Sequence, residues 1–173
     1  MKDILQRAAQ IRLVIFDVDG VLTDGSLYLD DNGMEYKAFN SRDGHGMKLL
    51  RQSGVEIAII SGRSSGVVKE RMASLGIHHV YQGREQKLPA LGELLEQLQI
   101  PMEQVAYVGD DVIDLPVMRR VGLAIAVADA HPFVRQHAHW QTPSGGGRGA
   151  AREVCELIME GHGTLQGILE SYL

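Results

Sequence analysis

The sequence has almost no cysteine, few aromatics, no excess of positive charge and no long hydrophobic run. Cys155 is the single cysteine, so an intrachain disulfide is excluded, and there is no CxxC pair to suggest zinc. Aromatic residues make up 5% of the chain and the formal net charge is −5. With no basic tract interleaved with aromatics, nucleic acid is disfavoured as a partner, and nothing global points to an anionic membrane. The longest apolar run, "VGLAIAVA", is far too short to span a bilayer. The start "MKDILQRAAQ" lacks the apolar centre of a secretory signal, so a cytoplasmic location is expected.

What is present is an ordinary globular composition: 173 residues, 45% hydrophobic and 23% charged. That is enough chain to bury one real core, and residues 1–173 are read as a single domain. Short apolar runs recur at 12–16 ("RLVIF"), 55–60 ("VEIAII"), 105–108 ("VAYV") and 123–127 ("LAIAV"). Their continuous apolar character suits strands covered on both faces, as in a parallel sheet. Between them lie the helical patterns "DGHGMKLLRQ", "SSGVVKERMASLG", "KLPALGELLEQLQ" and "DLPVMRRVG". Gly54, Gly76 and Gly122 fall where helix C-caps are expected. This alternation predicts an α/β fold with a doubly wound, Rossmann-like parallel sheet.

Two segments break the alternation. "SLYLDDNGMEYKAF" has β-rich arms, about residues 26–39, around Asn32-Gly33, the pair favoured in type I′ hairpin turns. "TPSGGGRGA" reads as a flexible glycine-rich stretch, followed by a helical tail, together about residues 142–173.

In open parallel sheets, ligands bind beyond the carboxyl ends of the strands. After the first apolar run come Asp17 and Asp19, in "FDVDGVLTDG". Ser61 follows the second, Lys87 opens the helix before the third, and "GDDVID" follows that strand with Asp110, Asp111 and Asp114. Each piece alone is commonplace; their order and placement together are not. A carboxylate that attacks a phosphate dianion meets like-charge repulsion, which a divalent cation and nearby donors must offset. Mg²⁺ takes carboxylate oxygens, waters and a phosphate oxygen, and Asp17 and Asp110 can supply the carboxylates. Asp19 can protonate the leaving alcohol and then activate water, while Ser61 and Lys87 bind the phosphoryl oxygens. A receiver domain combines similar groups, but there the lysine ends the last strand; here Lys87 precedes "GDD".

"DVDGVLTDG", "SGR", Lys87 and "GDDVIDLPVM" resemble the four motifs of the haloacid dehalogenase superfamily, over Asp17 to Met118. With "FNSRDGHGMKLL" and "GGGRGAAREV", the resemblance narrows to phosphatases of an eight-carbon sugar acid phosphate used in lipopolysaccharide synthesis. It implies Asp17 as nucleophile and Mg²⁺ ligand, and Asp19 as acid/base with its backbone carbonyl on the metal. Asp110 would be the remaining protein ligand, with Asp111 and Asp114 behind. It also places Asn40, Ser41, Arg42, Asp43, Gly44, Lys48, Arg63 and Arg71 at substrate-contacting positions, beside Asp19 and Lys87. Many members carry a cap domain, but 42 positions from Asp19 to Ser61 and 26 from Ser61 to Lys87 leave no room for one. The expected site is therefore open. The resemblance implies a homotetramer whose hairpins assemble, and the glycine stretch could let a tail reach a neighbouring site with Arg148. The alternatives are a phosphatase for a nine-carbon sugar acid phosphate or a macromolecule, and a non-catalytic phosphatase-like oligomerisation module.

Overall fold

A computed structural model describes the whole chain, Met1–Leu173. In order, it runs α1 (Lys2–Ala8), β1 (Leu13–Phe16), β2 (Tyr28–Leu29), β3 (Glu35–Tyr36), α2 (Ser41–Gln52), β4 (Glu56–Ile60) and α3 (Gly66–Ser74). It continues with β5 (His79–Tyr81), α4 (Lys87–Leu98), β6 (Val105–Gly109), α5 (Leu115–Met118), β7 (Leu123–Ala126), α6 (Pro132–His137), β8 (Trp140–Gln141), α7 (Ala150–Gly161) and α8 (Leu165–Glu170). Six strands form one sheet, β5-β4-β1-β6-β7-β8, and each neighbouring pair is parallel. From β1 the chain winds outward through β4 and β5, then returns beside β1 with β6 and winds the other way. The reversal falls between β1 and β6, whose register sets Phe16 against Val108. A doubly wound sheet opens its crevice at such a point.

The four apolar runs all form central strands. β1 and β6 are buried along their whole length, as two-sided coverage requires. One helical layer joins α2, α7 and α1, and α4 and α5 pack together against β4 and β6. α7 buries Ala150, Ala151, Val154, Cys155, Leu157, Ile158 and Met159, an apolar stripe at helical spacing. The first helix of the tail thus packs into its own chain's core, while α8 and the residues after it include no buried residue.

Three local expectations need correction. Gly54 and Gly76 do take positive φ, but Gly122 does not; a side chain there would collide with the Glu103 carbonyl. The hairpin turn is not type I′, because Gly33 alone has positive φ (76°) and Asn32 does not. Asp30 instead anchors a three-residue loop, its carboxylate accepting from the Asn32 and Met34 N–H groups at 2.9 and 2.8 Å.

The third correction concerns "GGGRG", which is a fitted strap and not a flexible spacer. Gly147 N–H donates to the Val21 carbonyl at 2.9 Å, and Asp129 accepts from the Gly146 N–H at 2.9 Å. A Cβ on Gly146 would lie 1.8 Å from the Gly20 carbonyl oxygen, so the glycine is there for close approach. The strap binds the loop that carries Asp19.

Candidate active site

The sheet's switch point places two acids side by side, Asp17 after β1 and Asp110 after β6. Gly20 permits the approach of their loops: its φ is +86°, and a Cβ there would fall 2.1 Å from Asp110 Oδ2. The resulting cleft, about 250 Å³, is lined by Asp17, Asp19, Ser61, Arg63, Asp110 and Ile113, among others. Ser61 is buried at the end of β4, its N–H held by the Tyr81 carbonyl at 2.9 Å.

Behind the cleft, Lys87 is buried between two acids. Its Nζ lies 3.0 Å from Asp17 Oδ2 and 2.7 Å from Asp114 Oδ1. Burial works against its charge, yet Asp114 and Asp17 outweigh burial and hold the lysine pKa above its usual value. Asp114 is wholly engaged. Oδ1 also accepts from the Tyr107 hydroxyl at 2.6 Å, and Oδ2 accepts from the Asp110 and Asp111 N–H groups at 3.0 and 3.2 Å. Burial, and then Asp114, drives the Tyr107 hydroxyl well above its normal pKa, so it stays a neutral donor.

Asp17, Asp110 and Asp114 each bring a carboxylate oxygen within 4.8 Å of the others, a set able to hold a divalent metal ion. Since Asp114 has its oxygens occupied, Asp17 and Asp110 are the two with ligand capacity to spare. The electrostatics fit a cation. Burial, then the Asp114 carboxylate, pushes Asp17 up to about 6 against the pull of Lys87. Burial, then Asp114, Asp17 and Asp111, pushes Asp110 up to about 8. One ammonium does not balance this many carboxylates, and a divalent ion would supply the missing charge.

Asp17, Asp19, Ser61, Arg63, Lys87 and Asp110 are therefore brought together. Other expected substrate contacts are not. Asn40 caps α2, accepting from the Arg42 N–H at 2.8 Å, and its amide donates to the Gly147 carbonyl at 3.3 Å. Ser41 and Arg42 are exposed on the first turn of α2. Asp43 is buried and accepts from the Arg152 N–H at 2.8 Å, so it ties α2 to α7 and does not face the cleft. Arg71 lies against Gly44, with its guanidinium 6.0 Å from the centre of the Phe39 ring. Lys48 lies exposed in a depression with Arg51, Gln52, Ala73 and Ser74, away from the acids. Helix spacing alone cannot say which face of α2 or α3 looks toward the strand ends. Arg148 pairs with Asp24 at 3.1 Å beside Asn40 and Gly147, next to the cleft.

Two site residues escaped sequence reasoning. Tyr107 sat inside an apolar strand, where one hydroxyl among buried residues was the available signal. Lys37, on the hairpin, forms a close ion pair with Asp19 and lies 2.7 Å from Glu35. Its signal was the polar alternation in "MEYKAF".

The profile of the haloacid dehalogenase-like hydrolases matches residues 73–153. The 3-deoxy-D-manno-octulosonate 8-phosphate phosphatase of Yersinia pestis is 54% identical over 165 residues, 95% of this chain and 88% of that protein. A crystal structure of the Yersinia pestis enzyme superposes with a TM-score of 0.94, covering 95% of this chain and 89% of that one. The Moraxella catarrhalis enzyme was solved with magnesium, phosphate and the sugar acid KDO. It superposes with a TM-score of 0.98 at 41% identity, covering 100% of this chain and 99% of its own.

Proposed function

The chain belongs to the haloacid dehalogenase superfamily, among its capless 3-deoxy-D-manno-octulosonate 8-phosphate phosphatases, and from that premise we infer how its residues divide the work. It is a phosphoric monoester hydrolase of lipopolysaccharide synthesis, releasing the free sugar acid and phosphate. In our reading, an Asp17 carboxylate oxygen attacks phosphorus and the ester oxygen departs, taking a proton from Asp19. Asp19 then removes a proton from water, which attacks the aspartyl-phosphate and frees Asp17. Ser61 donates to the phosphoryl oxygens and Lys87 holds Asp17 in place. Mg²⁺, held by Asp17, Asp110 and the Asp19 backbone carbonyl, would offset the negative charge of the phosphoryl group. The observation that carries this reading is the convergence of Asp17, Asp19, Ser61, Lys87 and Asp110 on one cleft at the switch point.

Arg63, about half exposed at the cleft, is our candidate for pairing with the substrate's carboxylate. We also infer a homotetramer. Leu27, Tyr28, Leu29, Met34 and Tyr36 are 49–61% exposed on a two-stranded ribbon that pairs with no other strand. Such a ribbon is marginal alone, and a neighbour over the open cleft would exclude water. Ser41, Arg42 and Lys48, exposed outside the cleft in one chain, would then be free to meet a substrate held across an assembled site.

The direct test is phosphate release from a panel of sugar acid phosphates with Mg²⁺ and with EDTA, beside thermal unfolding. Activity with the eight-carbon substrate should vanish on chelation and return with Mg²⁺; metal-independent turnover would refute the metal assignment. The pH sense follows from Asp17 and Asp110. Folding raises both pKa values, so between about 4 and 8 the metal-free folded state binds more protons than the unfolded chain. Their contribution is therefore fully present at low pH and is lost as pH rises toward 8. Added Mg²⁺ should accordingly raise Tm more at pH 8 than at pH 6. An equal or reversed gain would place the metal elsewhere.

A further inference from the structure

A second lysine with a covered side chain reaches the edge of the cleft, from the hairpin instead of the sheet. Burial alternates along the outgoing arm: Glu35, Lys37 and Phe39 turn inward, while Met34, Tyr36 and Ala38 are exposed. The Lys37 side chain is 2% exposed, although the strand beside it faces solvent. Its ammonium forms a close ion pair with Asp19 Oδ1 and lies 2.7 Å from Glu35 Oε1. Arg63 touches the same pair, 3.2 Å from Glu35 Oε1 and 3.8 Å from Asp19 Oδ2, but its side chain is 48% exposed. The arrangement repeats that of Lys87, whose ammonium joins Asp17 to Asp114. Each of the two reacting acids is thus tied, through a lysine with a covered side chain, to an acid that does not react.

We propose that Lys37, fixed in turn by Glu35, is the positioning residue for Asp19, aiming its carboxyl first at the leaving oxygen and then at the attacking water. The proposal rests on the acid/base reading of Asp19 given above. Asp19 follows the strand end on a loop whose backbone the strap holds from behind. That brace touches Gly20 to Asp24 and not the Asp19 carboxyl, whose direction has to be set by a side-chain partner. Misplacing a reacting group by about 1 Å can cost on the order of a hundredfold in rate. Lys37 is poorly suited to bind the substrate's own anions. Two carboxylates already face its single charge, whereas Arg63 keeps an exposed edge for a ligand. Structural support of the hairpin alone would not require the contact to fall on Asp19.

The experiment uses Lys37→Met, which keeps the buried stem and removes the ammonium, with Glu35→Gln as a milder second variant. The readout is the single-turnover rate of phosphorylation of Asp17 from two donors. A sugar alkoxide needs a proton from Asp19 to leave, whereas p-nitrophenolate leaves with little help. Lys37→Met should slow transfer from 3-deoxy-D-manno-octulosonate 8-phosphate about ten- to a hundredfold, and from p-nitrophenyl phosphate less than about threefold. KM for the sugar acid phosphate and the Mg²⁺ concentration for half-activation should hold. Glu35→Gln should show the same pattern more weakly, and Lys37→Arg should recover part of the rate. Asp19→Asn must itself discriminate between the two donors, and adding Lys37→Met to it should cost nothing further. Equal losses on both donors, a rise in KM alone, or no loss would overturn the proposal. If Asp19→Asn fails to discriminate, it is the acid role of Asp19 that fails, and the role of Lys37 falls with it.

Discussion

The floor of the cleft and its rim are built on opposite terms. The floor consists of strand ends and helix starts: Asp17, Ser61, Lys87 and Asp114 are each no more than 5% exposed. Their partners are other members of the same set, the buried Tyr107 hydroxyl, or backbone groups at or just beyond the strand ends. The rim consists of the hairpin, the Arg63 turn and the strap, where side chains are half exposed and pairs such as Arg148–Asp24 border solvent. Chemistry common to many phosphate esters is done where the core permits no movement. In the proposed assembly, choice of substrate is left to surfaces that another subunit would complete. A rigid scaffold carrying variable loops distributes function in this way.

The sharpest break comes at the floor. Asp17→Asn keeps shape but supplies neither a good nucleophile nor a good ligand. Turnover should fall by at least about a thousandfold with unchanged far-UV circular dichroism. Near-normal turnover, once deamidation back to Asp is excluded by mass spectrometry, would dismiss the covalent route.

At the rim the effect should be smaller and selective. Arg63→Ala should raise KM for the sugar acid phosphate about ten- to a hundredfold, the cost of a lost charged hydrogen bond, and change p-nitrophenyl phosphate much less. Equal losses on both substrates would move Arg63 from carboxylate recognition to phosphate binding.

The same contrast governs how much was legible in the sequence. Strand ends are readable because an apolar run must stop, and the next residue must point out of the sheet's edge. Asp17, Ser61 and Asp110 followed from that rule, with Lys87 at a helix start. The four central strands came out within about a residue of their observed ends. Rim residues obey no such rule. Lys48 lies exposed on α2 among Arg51 and Gln52, Arg71 lies against Gly44, and Asp43 accepts from an N–H in the first turn of α7. Lys37 became visible only when the hairpin's fold-back showed which of its two faces was covered. "GGGRG" misled because composition records freedom to move and cannot record a neighbour's backbone 1.8 Å from a missing Cβ.

Between floor and rim stands the hairpin, whose outer face is apolar and whose inner face holds Lys37. Charging that outer face with Leu27→Glu and Tyr36→Glu should dissociate a tetramer of 19.0 kDa chains, measured by sedimentation at low micromolar concentration. Turnover should drop by roughly three- to tenfold, because an uncovered cleft admits water and orients a small substrate poorly. A monomer as active as the wild type would show that one chain completes its own rim.

The smallest effect is expected at Arg148, and it separates two roles for the strap. Arg148 is 71% exposed and 3.1 Å from Asp24, the kind of surface pair that contributes little to stability. Gly146 and Gly147, by contrast, are wedged against the loop from Gly20 to Asp24 and hold it from behind. If the strap serves only as that brace, Arg148→Ala should leave kcat and KM for the sugar acid phosphate within about twofold. Gly146→Ala should then be the more damaging change, because its methyl group displaces the loop that carries Asp19. A tenfold rise in KM from Arg148→Ala would instead mean that the arginine leaves Asp24 to meet the substrate anion. In that case the strap belongs to the rim after all.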